Sequence, residues 1–533
     1  MENSYAQTSP SIEWQRPYGS HRDEDNFPLM SALLHNKDGS FVFISHADSN
    51  GGDVNSEIYG SVDIWIVKID SVGTIIWQKC YGGSWTDFAY SIFPTKDKGY
   101  IIAGYTVSHE LPNYHSDTGV FVREDAYIIK IDSVGNLQWQ NCYGGIKSEY
   151  ATSIIQSSDG GYVFTGYTKS NDGDVKGNHP SRGSSIKYED AWVVKLDPSG
   201  KIDWQYCAGG NGAEMGNSII ETPDGSFLIG GYTNSDDEGF INYGASDAYV
   251  VKLSSNGGFM WHKIYGGQYN DQVNSIIFAS DSGYIFTGMK DNDYDPLVNK
   301  GDLWIMQIDT LGKTMWEKSY GGSGSEWGTS ISPASDGGYL FTGVSASKDG
   351  DVTGNHGIPG TDNMEDIWCG KVTSTGTLQW QKSLGGTDHD EGNSILEVRP
   401  GQYIVSGRTY SKDGDVVGNN SDEFHRIDHW IVMLESSTSS IESGKGGSNF
   451  AHAYPNPSSD NVQFFVGDSE QVTDVQFFTV MGQQVTPTYT LLDNVLTADL
   501  RGLPNGSYVA RISHKGNDGI IRTEARKFIY YGK

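Results

Sequence analysis

The chain has 533 residues, of which 36% are hydrophobic, with 68 Gly, 31 Tyr and a formal net charge of −30. That length exceeds one ordinary compact core and points to several domains or one large repeat array. The charge excludes a nucleic-acid-binding surface, because phosphate is repelled by it. No window holds the roughly 18 apolar residues of a membrane-spanning helix.

The first segment, MENSYAQTSPSIEW, has neither a basic nor an apolar signal-peptide region. Residues 11–17, SIEWQRP, read as a lone strand with no repeat before it. A recurring sentence follows. It reads WQKCYGGSWTDFAYSI at 77–92, WQNCYGGIKSEYATSI at 139–154 and WEKSYGGSGSEWGTSI at 316–331. Its Trp falls at Trp14, Trp77, Trp139, Trp204, Trp261, Trp316 and Trp380, which makes seven units of 55–65 residues. Each unit carries four strand signals. In the third, ATSIIQS (151–157) and GYVFTGYT (161–168) flank an Asp-Gly turn, and DAWVVKLD (190–197) and KIDWQYC (201–207) flank PSG. Alternation of period two, with no long 3.6-period run, predicts an all-β fold. Four antiparallel strands per repeat, arranged radially, predict a seven-bladed β-propeller over 11–435. The seventh unit lacks a fourth strand, so the N-terminal strand is expected to complete blade seven and remove two sheet edges.

An acid precedes every first strand: Asp25, Asp87, Glu149, Glu214, Asp271, Glu326 and Asp390. Another opens every third strand: Asp63, Asp125, Asp190, Asp247, Asp302, Asp366 and Asp428. Catalysis needs one site, so an acid in every blade reads as a loop-pinning element. The functional alternative is an electronegative mouth. SNDGDVKGNH (170–179), SKDGDVTGNH (347–356) and SKDGDVVGNN (411–420) share a second motif. Two Asp one residue apart plus an Asn can supply oxygens to Ca²⁺. The metal candidates are therefore Asp172, Asp174 and Asn178; Asp349, Asp351 and Asn355; and Asp413, Asp415 and Asn419. The competing reading is an ordinary Asp-Gly turn. His179 and His356 in these loops read as solvated. Cys80, Cys142, Cys207 and Cys369 read as buried apolar residues. There is no G-x-S-x-G, H-E-x-x-H or P-loop.

The pattern YGG…D…SI…DGGYVFTGYT…DAWVVKLD…G…W resembles the SBBP-type β-propeller repeat of bacterial surface and secreted proteins. The resemblance covers 11–435 and implies architecture rather than activity. ESSTSSIESGKGGSNF (435–450) reads as flexible by composition, with a linker placed at 436–452. A small β-sandwich is expected over 453–533. That tail resembles the type A C-terminal sorting domain of the type IX secretion system of Bacteroidetes-type bacteria. The matching residues are Tyr454, Pro455, Asn456 and Pro457, the Met481-Gly482 turn, Leu503-Pro504-Asn505-Gly506-Ser507-Tyr508, and Arg526-Lys527-Phe528. The resemblance implies a signal peptide lost from this numbering, passage through the periplasm, the secretion machinery as partner, and a destination outside the cell or on its surface.

The reading is a binding or adhesion propeller with no assigned catalytic residue, whose ligand is a glycan or a surface protein. The alternatives are a hydrolase or lyase acting on polysaccharide through the acidic face, and a structural surface-layer component.

Overall fold

The computed structural model describes residues 9–19, 32–115, 123–179, 189–237, 239–240, 242–279, 283–291, 301–357, 365–418, 427–436, 453–454, 461–465, 471–479, 484–492, 495–503, 506–515 and 521–530. Among the described residues every element is a strand. Seven four-stranded antiparallel sheets precede two more in the tail. Blade three is typical, with strands Glu149–Gln156, Tyr162–Thr168, Asp190–Leu196 and Ile202–Ala208 in sequential order. Blade seven contains Asp390–Arg399, Gln402–Thr409 and Asp428–Glu435. Its fourth strand is Ser11–Tyr18, paired from Ser11↔Glu435 to Tyr18↔His429. The two ends of the array also meet in the core, where the His429 ring stacks on Phe43 of blade one at 4.3 Å.

The repeated residues build the contacts between blades. Third-strand Trp65, Trp192, Trp304, Trp368 and Trp430 are fully buried. The Trp192 ring meets second-strand Phe164 edge-on at 5.5 Å, and its indole N–H donates to Gln205 of the WQ pair at 3.0 Å. The fourth-strand Trp139 ring lies about 3 Å from where a side chain at Gly200, in the next blade, would begin; Gly200 has φ +87°. Tyr143, from the YGG of the same sentence, donates its hydroxyl to the Gly200 carbonyl. Tyr18, Tyr81, Tyr265 and Tyr320 do the same to Gly73, Gly135, Gly312 and Gly376. Sheet faces that cannot be buried within one blade are covered by the next. One such core joins Ile101 and Ile128 of blade two to Ile154, Phe164 and Trp192 of blade three.

In blades two to six the first strand carries a bulge, which shifts register between Ala151 and Ser153 and at the matching places in blades two, four, five and six. The bulge drives the first strand against the second. A Cβ on Gly166 would stand 1.9 Å from the Tyr150 carbonyl oxygen, and Gly104, Gly231, Gly288 and Gly343 are equally confined. The Gly of FTGYT is thus required by close approach.

The described residues of the tail, from 453 onward, belong to a second compact unit. Its two four-stranded sheets enclose Val462, Phe464, Phe477, Leu496, Ala498, Tyr508, Ala510 and Ile512. Most of the expected linker, 437–452, lies outside the described residues.

Candidate functional site

Among the described residues the first-strand acids do not form an electronegative mouth; Asp25 lies outside the described residues. Asp87, Glu149, Glu214, Asp271, Glu326 and Asp390 are all fully buried. Glu149 shows why each blade keeps one. One oxygen accepts the Gly145 N–H at 2.9 Å, which pins the YGG turn. The other accepts the Thr168 hydroxyl at 2.7 Å and the N–H groups of Lys169 and Ser170 at 3.2 and 3.0 Å, which pins the end of the second strand. The third-strand acids pin the long loop instead. Asp125, Asp190 and Asp366 accept the N–H of His115, His179 and His356 at 2.8–2.9 Å, and Asp63 and Asp247 accept those of Tyr59 and Tyr243.

The two sets converge across six blade interfaces. A Cβ on Gly144 would lie 2.7 Å from Glu149 Oε2 and 2.9 Å from Asp125 Oδ1. The same holds at Gly82, Gly209, Gly266, Gly321 and Gly385. The Oδ1 atoms of Asp63, Asp125, Asp190, Asp247 and Asp366 are buried without a hydrogen-bond partner. Burial raises the carboxyl pKa of Glu149, Glu214 and Asp390 to about 7 and that of Asp63 to about 6.

The three Asp-Gly-Asp loops sit beside these pairs. Asp172, Asp349 and Asp413 each accept a backbone N–H from the neighbouring YGG loop, at Ile146, Ser323 and Thr387, over 2.7–2.9 Å. Asp174, Asp351 and Asp415 donate their own N–H to Gly144, Gly321 and Gly385. The Asn178 amide donates to the Thr168 and Ser170 carbonyls, and Asn355 donates to Ser345. Asn419 lies outside the described residues. The loop histidines are not merely solvated. His179 and His356 each hold the strand-opening Asp at 2.7 Å through Nδ1. His115 and His356 also reach Asp174 and Asp415 of the next blade at 3.6 and 3.7 Å through Nε2. The four cysteines are buried and none is in a disulfide.

The axis of the array holds a cavity of about 480 Å³, lined by the first strands. Its waist is the Thr/Asn-Ser pair of most sentences, replaced by Tyr90-Ser91 in blade two. Asn217, Asn274, Thr152 and Thr329 donate to the Val273, Gly328, Gly216 and Gly392 carbonyls of the following blade at 2.5–2.8 Å. Ser91, Ser218 and Ser275 accept N–H bonds from Ile154, Ile276 and Ile331. The waist is therefore a belt joining blade to blade.

One ring above the belt escapes the repeat. The residue after the first-strand acid is Phe88, Tyr150, Met215, Gln272, Trp327 or Glu391. The cross-strand partners of the first five are Tyr105, Tyr167, Tyr232, Met289 and Val344. Tyr105, Tyr150 and Tyr167 form a continuous bank, with centroids 4.4 and 4.7 Å apart. Met215, Tyr232, Gln272, Trp327 and Arg408 line the cavity.

In blade seven this ring is ionic. Glu365 Oε2 faces His389 Nδ1 at 3.2 Å, His389 Nε2 faces Glu391 Oε1 at 2.5 Å, and Arg408 Nε donates to Glu391 Oε2. Burial opposes the charge on His389, but its bond to Glu391 and the two glutamate fields raise its pKa. Burial raises the pKa of Glu365. It also opposes ionisation of Glu391, yet the His389 and Arg408 bonds prevail and lower it. Glu365, His389 and Glu391 offer three ligand atoms within 4.8 Å of one another. Both imidazole nitrogens face carboxylates, however, as the two N–H donors of an imidazolium do, so the set is an ion chain rather than a metal cradle. None of its four residues was singled out from the sequence. The residue after the first-strand acid, which changes from blade to blade, could have pointed to Glu391.

In the tail, Tyr454 lies in strand Ala453–Tyr454, Gly506 opens Gly506–Lys515, and Lys527 lies in Ile521–Tyr530 opposite Val509. Tyr508 is buried. Pro455, Asn456, Pro457 and Gly482 lie outside the described residues. Residues 452–523 match the family described as the secretion system C-terminal sorting domain. The tail is a sorting domain. It marks the propeller as exported cargo of that system, and among the described residues no helix is long and apolar enough to cross a membrane. The chain is similar to the regulatory protein FlaEY of Caulobacter vibrioides, at 23% identity over 32% of this chain. It is also similar to an uncharacterized WD repeat-containing protein of Acanthamoeba polyphaga mimivirus, at 22% over 43%. The chain spans 18% of the length of each of these relatives. Among solved structures, the Neurospora crassa Pan2 WD40 domain matches at 13% identity with a TM-score of 0.31. That match covers 64% of this chain and 87% of the other.

Proposed function

We propose that the chain is an exported carbohydrate-binding propeller, acting at the cell surface or after release, with its ligand seated in the mouth of the axial cavity. The supporting observation is where the repeat varies. Acids, glycines, Trp, Gln, Tyr and Ser all serve strand and blade contacts. The pairs Tyr150/Tyr167, Met215/Tyr232, Gln272/Met289, Trp327/Val344 and Glu391/Arg408 differ from blade to blade, and Met215, Tyr232, Gln272, Trp327 and Arg408 among them line a cavity of ligand size. Aromatic faces suit the C–H faces of sugars, and the hydroxyl and amide belt beneath suits their hydroxyl groups.

A glycan array probed with the intact chain and with the Tyr232→Ala, Trp327→Ala double variant tests this. Binding by the parent that the variant loses, with an unchanged melting temperature, supports it. Equal array signals from the two proteins would refute the site. Release of reducing ends from bound polysaccharide would replace binding with hydrolysis or lysis.

A further inference from the structure

Five seams between blades have both of their surface loops described, and they are of two kinds. The residue whose backbone N–H meets the third-strand acid is His115, His179 or His356 in three of them and Tyr59 or Tyr243 in the other two. The second residue before the next blade's first-strand acid varies in step. It is Lys147, Gly212 or Asp388 beside the histidines, but Trp85 beside Tyr59 and Tyr269 beside Tyr243. Each histidine turns Nδ1 back onto the acid at 2.7–3.0 Å. The tyrosines leave their rings outside: Tyr59 and Tyr243 are 53% and 56% exposed, and Trp85 is 49% exposed. Three seams close with no such pair, so closure does not need one. A single exposed aromatic ring is ordinary, whereas the same pair built twice points to a task at the surface.

The backbone sets both pairs in one register. Val62 bridges Thr86 and Ser246 bridges Asn270, in parallel, so the approach to one blade's third strand lies along the next blade's YGG loop. Gly60 and Gly244 let it lie there, since a Cβ on either would stand 2.2 Å from the Trp85 or Gln268 carbonyl oxygen. Tyr59 comes three residues before Val62, and Trp85 directly before Thr86. Tyr243 and Tyr269 hold the same places around Ser246 and Asn270. Beyond Trp85, the exposed His109 ring extends the surface at 6.3 Å. One seam joins blades one and two, the other blades four and five. Three blade steps apart in a ring of seven, they stand on opposite sides of the axis, at the end where the first and third strands begin.

We propose that Tyr59 with Trp85, and Tyr243 with Tyr269, form two peripheral platforms that bind sugar units of one uncharged polysaccharide chain. Aromatic rings suit the C–H faces of sugars. Glu57 is exposed two residues before Tyr59, and Glu110 accepts the Ser84 N–H beside Trp85, so carboxylate acceptors for sugar hydroxyls flank the first platform. The same carboxylates and the net charge of −30 oppose an anionic chain. Two like platforms on one face match a ligand whose chemistry repeats, which a polysaccharide has and a folded protein lacks. The ligand class rests on the carbohydrate reading above, while the platforms lie outside the axial cavity.

The probes are linear β-glucan and galactomannan, each beside its own short oligomers, with affinity read from retardation in polysaccharide-loaded native gels and from calorimetry. The intact chain should bind polymer about tenfold or more tightly than short oligomers, because engaging the second platform is then intramolecular. Y59A/W85A and Y243A should each bring polymer affinity down towards that of the oligomers, while Y59F and W85F keep the rings and the affinity. Melting temperatures should stay within about two degrees of the parent's, since these side chains are exposed and Ala keeps the N–H that Tyr59 and Tyr243 give to Asp63 and Asp247. Unchanged polymer affinity in both alanine variants overturns the platforms and leaves the cavity reading intact. Loss in them with no loss in the Tyr232→Ala, Trp327→Ala variant keeps the platforms and removes the cavity. A parent that binds no neutral polysaccharide overturns the platforms, and one that also gives no signal on the glycan array loses the cavity reading with them. A parent that elutes as a dimer where Y59A/W85A elutes as a monomer would assign this surface to a second copy of the chain and overturn the saccharide platforms.

Discussion

Replacing Glu149 with Gln should stabilise the protein at pH 8 and lose that advantage at pH 4.5. Glu149 is fully buried, faces Asp125 across Gly144, and has its pKa raised from 4.5 to about 7, chiefly by burial. A carboxyl whose folded pKa lies above its unfolded value contributes stability that is fully present below 4.5 and lost as pH rises through 7. The span from 4.5 to about 7 corresponds to about 3 kcal/mol. Gln cannot ionise. Its Oε1 can keep the Thr168, Lys169 and Ser170 donors, while the Gly145 N–H loses its acceptor at a cost of about 1 kcal/mol. The new amide can donate to Asp125 Oδ1, which has no partner in the parent. The net expectation is a gain of about 2 kcal/mol at pH 8 that turns into a loss of about 1 kcal/mol by pH 4.5. Urea unfolding followed by Trp fluorescence at several pH values measures it, because the midpoint shifts with stability when the slope is unchanged. Parallel pH–stability curves for parent and variant would refute the reasoning and show that the four donors hold Glu149 ionised in the folded protein.

Gly166→Ala should destabilise blade three by about 3 kcal/mol or more, since its Cβ would meet the Tyr150 carbonyl oxygen at 1.9 Å, whereas Gly160→Ala meets nothing within 4 Å and should cost less; equal melting temperatures for the two variants would contradict this. Deleting residues 1–18 removes the strand paired with Asp428–Glu435, together with the Trp14 and Tyr18 contacts to Gly73, and should lower the melting temperature by several degrees; an unchanged thermal melt would show the closure to be dispensable. Calcium binding at Asp172/Asp174/Asn178, Asp349/Asp351/Asn355 and Asp413/Asp415/Asn419 stands as a proposal. Calcium should stabilise the parent by about 2.7 kcal/mol at a hundredfold excess over its dissociation constant and leave the Asp174→Ala, Asp351→Ala, Asp415→Ala variant unmoved. Equal melts of the parent with calcium and with chelator would remove calcium from these loops.

The sequence by itself determined the local and the periodic. Alternation placed the strands of blade three within one or two residues of where they lie, because a strand's faces are written in its own period. Recurrence of the Trp sentence determined seven units, since each blade must present the same contacts to its neighbour. The motif around Tyr508 determined the sorting tail. Only the tertiary structure decided what each recurring residue touches. Fourteen acids in register read alike as scaffold or as an open acidic mouth. Folding decided in favour of burial by bringing the acid of one blade's third strand against that of the next blade's first, across a glycine. His356 looks isolated in its loop until the chain brings Asp366 and Asp415 to its two nitrogens. Glu365, His389, Glu391 and Arg408 span 44 positions and share no motif. They meet because the third strand of blade six starts beside the first strand of blade seven, as the Asp390 N–H to Glu365 carbonyl bond shows. Contacts of that kind follow from how sheets stack around an axis, and no period within a strand encodes them.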